Sequence, residues 1–156
     1  DLSNVTDISF MFYSANSFNQ DIGVWDVSNV TNMESLFVYA ESFNKDISSW
    51  DVSKVTNMKD LFHFAQSFNM NISGWNVSNV TNMSGMFFNA TSFNQDIRNW
   101  NVSNVRDMEK MFSWATSFNQ NISNWCVDEI ENEPFEFSLG SPLEHNNKPL
   151  WGKPCD

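Results

Sequence analysis

Carboxylates recur at a fixed interval: Asp21, Asp46 and Asp96 share one register with Asn71 and Asn121, and Asp26 and Asp51 share another with Asp1, Asn76 and Asn101. Calcium takes oxygen ligands and could bridge Asp21 with Asp46 or Asp26 with Asp51. Stacked strands would set successive members about 4.8 Å apart, where two carboxylates repel unless a cation or a donor intervenes. A turn residue bonding to its own backbone would tolerate the same exchange of aspartate for asparagine, so both roles fit the pattern. Catalytic groupings do not emerge from it. His63 and His145 are far apart, no serine has the glycine context of a nucleophile elbow, and the five glycines form no phosphate-cradling loop. The chain is therefore expected not to be an enzyme and to carry no cofactor or metal, with calcium at Asp21, Asp46, Asp26 and Asp51 as the alternative.

A second set of residues suggests recognition rather than reaction. Tyr13, Tyr39, His63, Phe64, Phe88 and Trp114 fall on a stripe whose residue types change from repeat to repeat while their neighbours do not, yet which stays mostly aromatic. An exposed aromatic row would be a contact surface for sugar rings or a partner protein. The alternative is that the rings pack on one another along the repeats. Most N-x-S/T triplets fall on recurring registers, whereas Asn89, in Asn89-Ala90-Thr91, stands on a variable one and is the expected glycosylation acceptor in a host with that machinery.

The elements that must position these residues come from one repeated unit. Tryptophan occurs at Trp25, Trp50, Trp75, Trp100 and Trp125 with no insertion between them, and residues 26–50 return almost unchanged. A strict period of this size predicts a solenoid whose units are too small to hold separate cores. Within one unit, Met33, Leu36, Phe37 and Ala40 fall at i, i+3, i+4 and i+7, which predicts a helix of about two turns with Thr31 or Asn32 as its N-cap. Residues 46–48 are expected to form a short parallel strand. Phe43, Asn44 and Ile47 recur in every unit, and the asparagine is expected to be buried, its side chain satisfying backbone groups. The fold class expected is thus α/β, with five 25-residue solenoid coils over residues 1–125 and a C-terminal cap over 126–156. From Cys126 the pattern decays, and Pro134, Pro142, Pro149 and Pro154 break any further regular element.

Both cysteines, Cys126 and Cys155, lie in that tail. Metal sites built on thiolates need closer clusters with more ligands. A disulfide closing the cap is the better account. It would contribute roughly 3 to 4 kcal/mol and imply an oxidising, extracytoplasmic setting.

The recurring Trp-Asp-Val-Ser-Asn-Val-Thr-Asn-Met, then Leu-Phe or Met-Phe, then Ser-Phe-Asn-Gln-Asp-Ile-Ser resembles the BspA-like family of leucine-rich-repeat surface proteins, including mycoplasma-type lipoprotein repeats. The end, Asn124-Trp125-Cys126-Val127 with the later Lys-Pro-Leu-Trp-Gly-Lys-Pro-Cys, is similar to the usual close of such repeats. The resemblance implies a right-handed leucine-rich-repeat-like solenoid on a secreted or cell-surface protein concerned with adhesion and protein binding, with no catalytic residues to carry over.

The formal net charge of −11 over 156 residues would repel nucleic-acid phosphates and anionic lipid heads. No apolar run approaches the roughly 20 residues that span a bilayer, so membrane insertion within the chain is not expected. The sequence starts at Asp1, in phase with the repeat and without methionine or a signal-peptide pattern, and is expected to be a processed or partial product. The function expected is an extracellular module contacting a surface protein or glycan. The alternative is self-association into a filament or surface layer, for which Leu2, Val5 and Ile8 would face solvent unless another unit stacked on them. Rows of threonine such as Thr6, Thr31, Thr56 and Thr81 also admit ordering of water, as in ice-binding repeats.

Overall fold

The structure, a computed structural model, describes residues 2–155; Asp1, a member of the second acidic register, lies outside them. Successive 25-residue turns stack in parallel, joined at the bridges Asp7 to Asn32, Asn32 to Asn57, Asn57 to Asn82 and Asn82 to Asp107. These bridges are isolated, and the sole helical element among the described residues is a 3-10 turn at His145–Asn147. The expected α/β fold of short helices and short parallel strands is therefore overturned.

The backbone hydrogen bonds give the physical reason. Residues 33–40, expected to be helical, divide their N–H groups between two destinations. Met33, Ser35, Phe37 and Tyr39 donate to Asn57, Lys59, Leu61 and His63, carbonyls 24 positions further along, while Leu36, Val38 and Ala40 donate three residues back to Met33, Ser35 and Phe37. An α-helix would need all of these bonds to run four residues back. Ser35 at φ 55 and Tyr39 at φ 58 are left-handed, which stops a right-handed helix and suits the third position of tight turns. Both features recur one turn on, at Asp60 and Phe64. Overlapping tight turns bury Met33, Leu36, Phe37 and Ala40 as completely as a helix face would, each fully shielded from solvent.

The expected strand at 46–48 fails for a similar reason. The Ser48 N–H donates to the carboxylate of Asp46 at 2.9 Å, so it bonds within its own turn instead of across to the next. Asn32 accepts the Glu34 N–H at 3.1 Å as an N-cap would, but a tight turn follows it and not a helix. The asparagine ladder does form: the side-chain oxygens of Asn19, Asn44, Asn69 and Asn94 each accept the N–H of the asparagine one turn later at 3.0 to 3.1 Å. It runs along the surface, however. Asn44 is half-buried and the others are exposed, and the ladder bonds themselves lie at the surface.

The core is a set of aromatic columns. Phe12, Phe37, Phe62, Phe87 and Phe112 stack with centroids 5.5 to 5.7 Å apart, and within each turn a second phenylalanine lies 3.9 to 4.1 Å from its partner. The indole N–H groups of Trp50, Trp75, Trp100 and Trp125 all donate at 3.1 Å to the isoleucine carbonyl 28 residues back. A buried donor is thus satisfied by the neighbouring turn. Packing is looser in the first turn, where Leu2, Val5, Phe12, Phe18 and Trp25 are half-buried, although Ile8, expected to face solvent, is only 2% exposed.

The tail does not abandon the pattern as expected. Ile130 donates to Val127 as Val105 does to Val102, and Phe137 and Leu139 donate to Pro134 and Glu136 as Met111 and Ser113 do to Met108 and Lys110. Lys110, Phe112 and Trp114 donate to Phe135, Phe137 and Leu139, 25 positions on instead of 24. Residues 126–140 are therefore a sixth turn with one inserted residue, an offset that hides the register in the sequence. The chain then folds back: Gly152 donates to Ile130 at 2.9 Å, and Cys126 is bonded to Cys155 with Cα atoms 5.5 Å apart.

Candidate functional site

Two left-handed positions per turn set the geometry of the candidate site. The first is Phe10, Ser35, Asp60, Gly85 and Lys110, and the second is Ser14, Tyr39, Phe64, Asn89 and Trp114. These two columns flank the column Tyr13, Val38, His63 and Phe88; Ser35, Val38 and Gly85 are buried, and the larger side chains of the other turns reach the surface. The expected stripe is therefore two adjacent columns whose rings meet across turns.

The rings of the first four turns form one continuous row. Tyr13 meets Tyr39 edge-on at 6.3 Å, and Tyr39 stacks on Phe64 at 4.7 Å. His63 lies 5.0 Å from Phe64 and stacks on Phe88 at 4.6 Å, and Phe64 lies 5.5 Å from Phe88. Tyr13 is 49% exposed, while Tyr39, His63, Phe64 and Phe88 are half-buried. Packing against one another and presentation to solvent, posed as alternatives, thus occur together. Trp114 stands apart. It is 48% exposed and its ring lies over Gly140 of the sixth turn, where a Cβ would come within 2.7 Å of it. Asn89 is half-buried on the same column, in the gap between Phe64 and Trp114.

Beside the row runs an open groove of about 380 Å³ lined by Phe10, Tyr13, Ser35, Tyr39, Asp60 and His63, among others. A hollow of about 200 Å³ running from the third turn to the fifth shares Lys59, Asp60 and His63 with it and adds Gly85, Phe88 and Glu109. The charges here are mostly paired: Lys59 with Glu34 at 3.6 Å, His63 Nδ1 with Asp60 at 2.8 Å, and Lys110 with Glu136 at 3.8 Å. Sequence reasoning missed Phe10, Asp60 and Gly85. Their signal was available, since the register holding Phe10, Ser35, Asp60, Gly85 and Lys110 varies as freely as the aromatic one.

The acidic registers have a structural occupation. Oδ1 of Asp21, Asp26, Asp46 and Asp51 each accepts the N–H two residues on at 2.9 to 3.1 Å, and Asn71, Asn76, Asn101 and Asn121 do the same. This turn bond requires an oxygen acceptor and no charge, which explains the exchange of aspartate for asparagine. The grouping of three or more metal-type side chains found among the described residues is Cys126, Asp128 and Cys155, whose sulfurs are consumed by the disulfide. The threonine row is committed likewise: the hydroxyls of Thr31, Thr56 and Thr81 donate to the threonine carbonyl one turn back at 3.1 to 3.2 Å.

Hydrogen bonds to Asp26, Asp46 and Asp51 hold their carboxyls below the ordinary value of 3.8. For Asp26 and Asp51 the serine hydroxyl two residues on is the leading cause, and for Asp46 it is the Ser48 N–H. A depressed folded-state pKa contributes stability that is complete above the unfolded value and lost as pH falls through the folded one. The melting temperature is therefore expected to stay level from about pH 7 to about pH 5 and to fall below about pH 4. The D26N/D46N/D51N variant should melt with the parent at neutral pH, as asparagine makes the same bond in later turns, and should lose less in acid. Equal acid losses in the two proteins would refute this role.

Among the described residues no helix is long and apolar enough to cross a membrane. The profile of the family described as "Mycoplasma protein of unknown function, DUF285" matches residues 1–76 and 46–149. The chain belongs to the DUF285 family. The second DUF285 match runs through the sixth turn and into the returning tail, so that family relationship takes in the groove, the aromatic row and part of the closing segment together. No curated protein and no solved structure matches the chain.

Proposed function

We propose that the protein is a non-catalytic binding module of a secreted or cell-surface protein, using the aromatic row of turns one to four to contact a surface ligand. The observation that carries this reading is that the rings from Tyr13 to Phe88 form one continuous partly exposed row on a scaffold whose buried columns are nearly constant. Rigid rings lose little conformational freedom on contact, which is why they dominate recognition surfaces. The Cys126–Cys155 disulfide supports an oxidising location, and the resemblance to BspA-like surface proteins supports adhesion. A filament or surface-layer subunit is the alternative. It draws on the half-exposed first turn, which any preceding chain would cover equally well, so the aromatic row favours the binding reading.

The Y13A/Y39A/F64A variant should lose retention on intact cell surfaces in a pull-down while melting within about 5 °C of the parent. Trp114→Ala, off the row, should retain it. Retention by the triple variant equal to that of the parent would remove this face from consideration.

A further inference from the structure

The groove differs from turn to turn, and one position makes the difference. Gly85 is the one glycine on the first left-handed column, at φ 61. A Cβ there would overlap Oδ1 of Asp60 and come within 3.3 Å of His63 Nδ1. The bare backbone of the fourth turn is therefore the floor on which the Asp60–His63 pair rests. That pair is ordered: Nδ1 and the carboxylate are 2.8 Å apart, and the His63 ring is held between Phe64 at 5.0 Å and Phe88 at 4.6 Å. A carboxylate accepts only, so in the neutral ring it takes the Nδ1–H and leaves Nε2 as a bare acceptor. Nε2 has no hydrogen-bond partner among the described residues, and the His63 side chain is 25% exposed.

We infer that the hollow formed by Asp60, His63, Gly85 and Phe88 is a subsite for a neutral, hydroxyl-rich ligand, a saccharide unit, within the binding face proposed above; the inference rests on that reading. Charge is what selects the ligand class. Glu34, Lys59, Asp60, Lys110 and Glu136 are all engaged in ion pairs or in the histidine contact, with Glu109 as the one lining carboxylate lacking an ion-pair partner among the described residues. An anionic ligand would meet the −11 chain with no uncommitted cation to receive it, and a cationic one would find Glu109 alone to pair with, the other lining carboxylate being taken by His63. A sugar hydroxyl can donate to Nε2 while its C–H face covers the edge of Phe88, which needs neither.

Binding of four probes to the intact protein by calorimetry tests this: cellohexaose, a hexamer of N-acetylglucosamine, a heparin hexasaccharide and hexalysine. One of the two neutral probes is expected to bind, and the two charged ones are not. His63→Phe keeps the ring stacking and removes both Nε2 and the Nδ1 that bonds Asp60, and should weaken the neutral probe at least tenfold with a melting temperature within about 5 °C of the parent. Gly85→Ala, which displaces the Asp60 carboxylate, should weaken it comparably. Tighter binding of either charged probe, binding of neither neutral one, or equal binding by His63→Phe would overturn the subsite. Loss of binding in His63→Phe with full retention in Y13A/Y39A/F64A would instead leave the subsite standing and remove the extended row.

Discussion

Phe87→Ala should destabilise the protein by about 3 to 5 kcal/mol, the cost of emptying a phenylalanine site that cannot collapse. Phe87 is fully buried between Phe62 at 5.7 Å and Phe112 at 5.6 Å, and lies 3.9 Å from Phe93 in its own turn. Those neighbours are held by hydrogen bonds from turn to turn: Phe62 donates to Met86, and Phe87 to Met111. The walls of the cavity cannot close without breaking that register. Since domains of this size are typically stable by only about 5 to 15 kcal/mol, the loss is a large fraction of the total. Urea unfolding is the measurement, with an unchanged slope expected alongside the lowered midpoint. Phe64→Ala, half-buried in the surface row, should cost clearly less. Equal losses at the two positions would mean that the buried column is not the principal source of stability.

Cys155→Ser is the second large effect. The bridge closes a segment of sequence separation 29, for which the loop-entropy estimate is about 3 to 4 kcal/mol. The segment has other ties: Gly152 to Ile130 at 2.9 Å, Ile122 to Asn147 at 2.9 Å, Lys148 to Glu133 at 2.7 Å and the Trp151 ring against Phe137 at 5.0 Å. These are few, and the ion pair lies near the surface, where such pairs contribute little. Without the bridge the returning segment should open first. Hydrogen exchange would then show lost protection at Ile122 and Gly152 and spreading to the sixth turn, while the Phe37 and Phe62 amides keep theirs. Unchanged protection at Gly152 in the variant would mean that packing alone holds the tail.

The period, the buried columns and the pairing of the two cysteines were all legible in the sequence, since each depends on identities repeated at fixed spacing. The secondary structure was not. Met33, Leu36, Phe37 and Ala40 satisfy a helical period, but overlapping tight turns bury the same set. The deciding fact, that Phe37 donates to Leu61, lies 24 residues outside any local window. Nor do most of the left-handed positions announce themselves: Ser35, Lys110, Tyr39 and Phe64 are not residue types that usually mark one, although Asp60 and Asn89 are. Gly85 was the strongest cue, and its meaning depended on Asp60 lying across it. In the tail a single inserted residue was enough to conceal a sixth turn behind four prolines. The aromatic stripe was visible as a set, but its division into two columns, with Trp114 set apart over Gly140, needed the turn geometry.

The direct test of the stacked-turn account is the measurement of scalar couplings across hydrogen bonds in the labelled protein by NMR. The account predicts couplings from the Phe37, Phe62 and Phe87 amides to the carbonyl carbons of Leu61, Met86 and Met111. Couplings from these amides to carbonyls four residues back, as in helices, would contradict it and dissolve the groove with it.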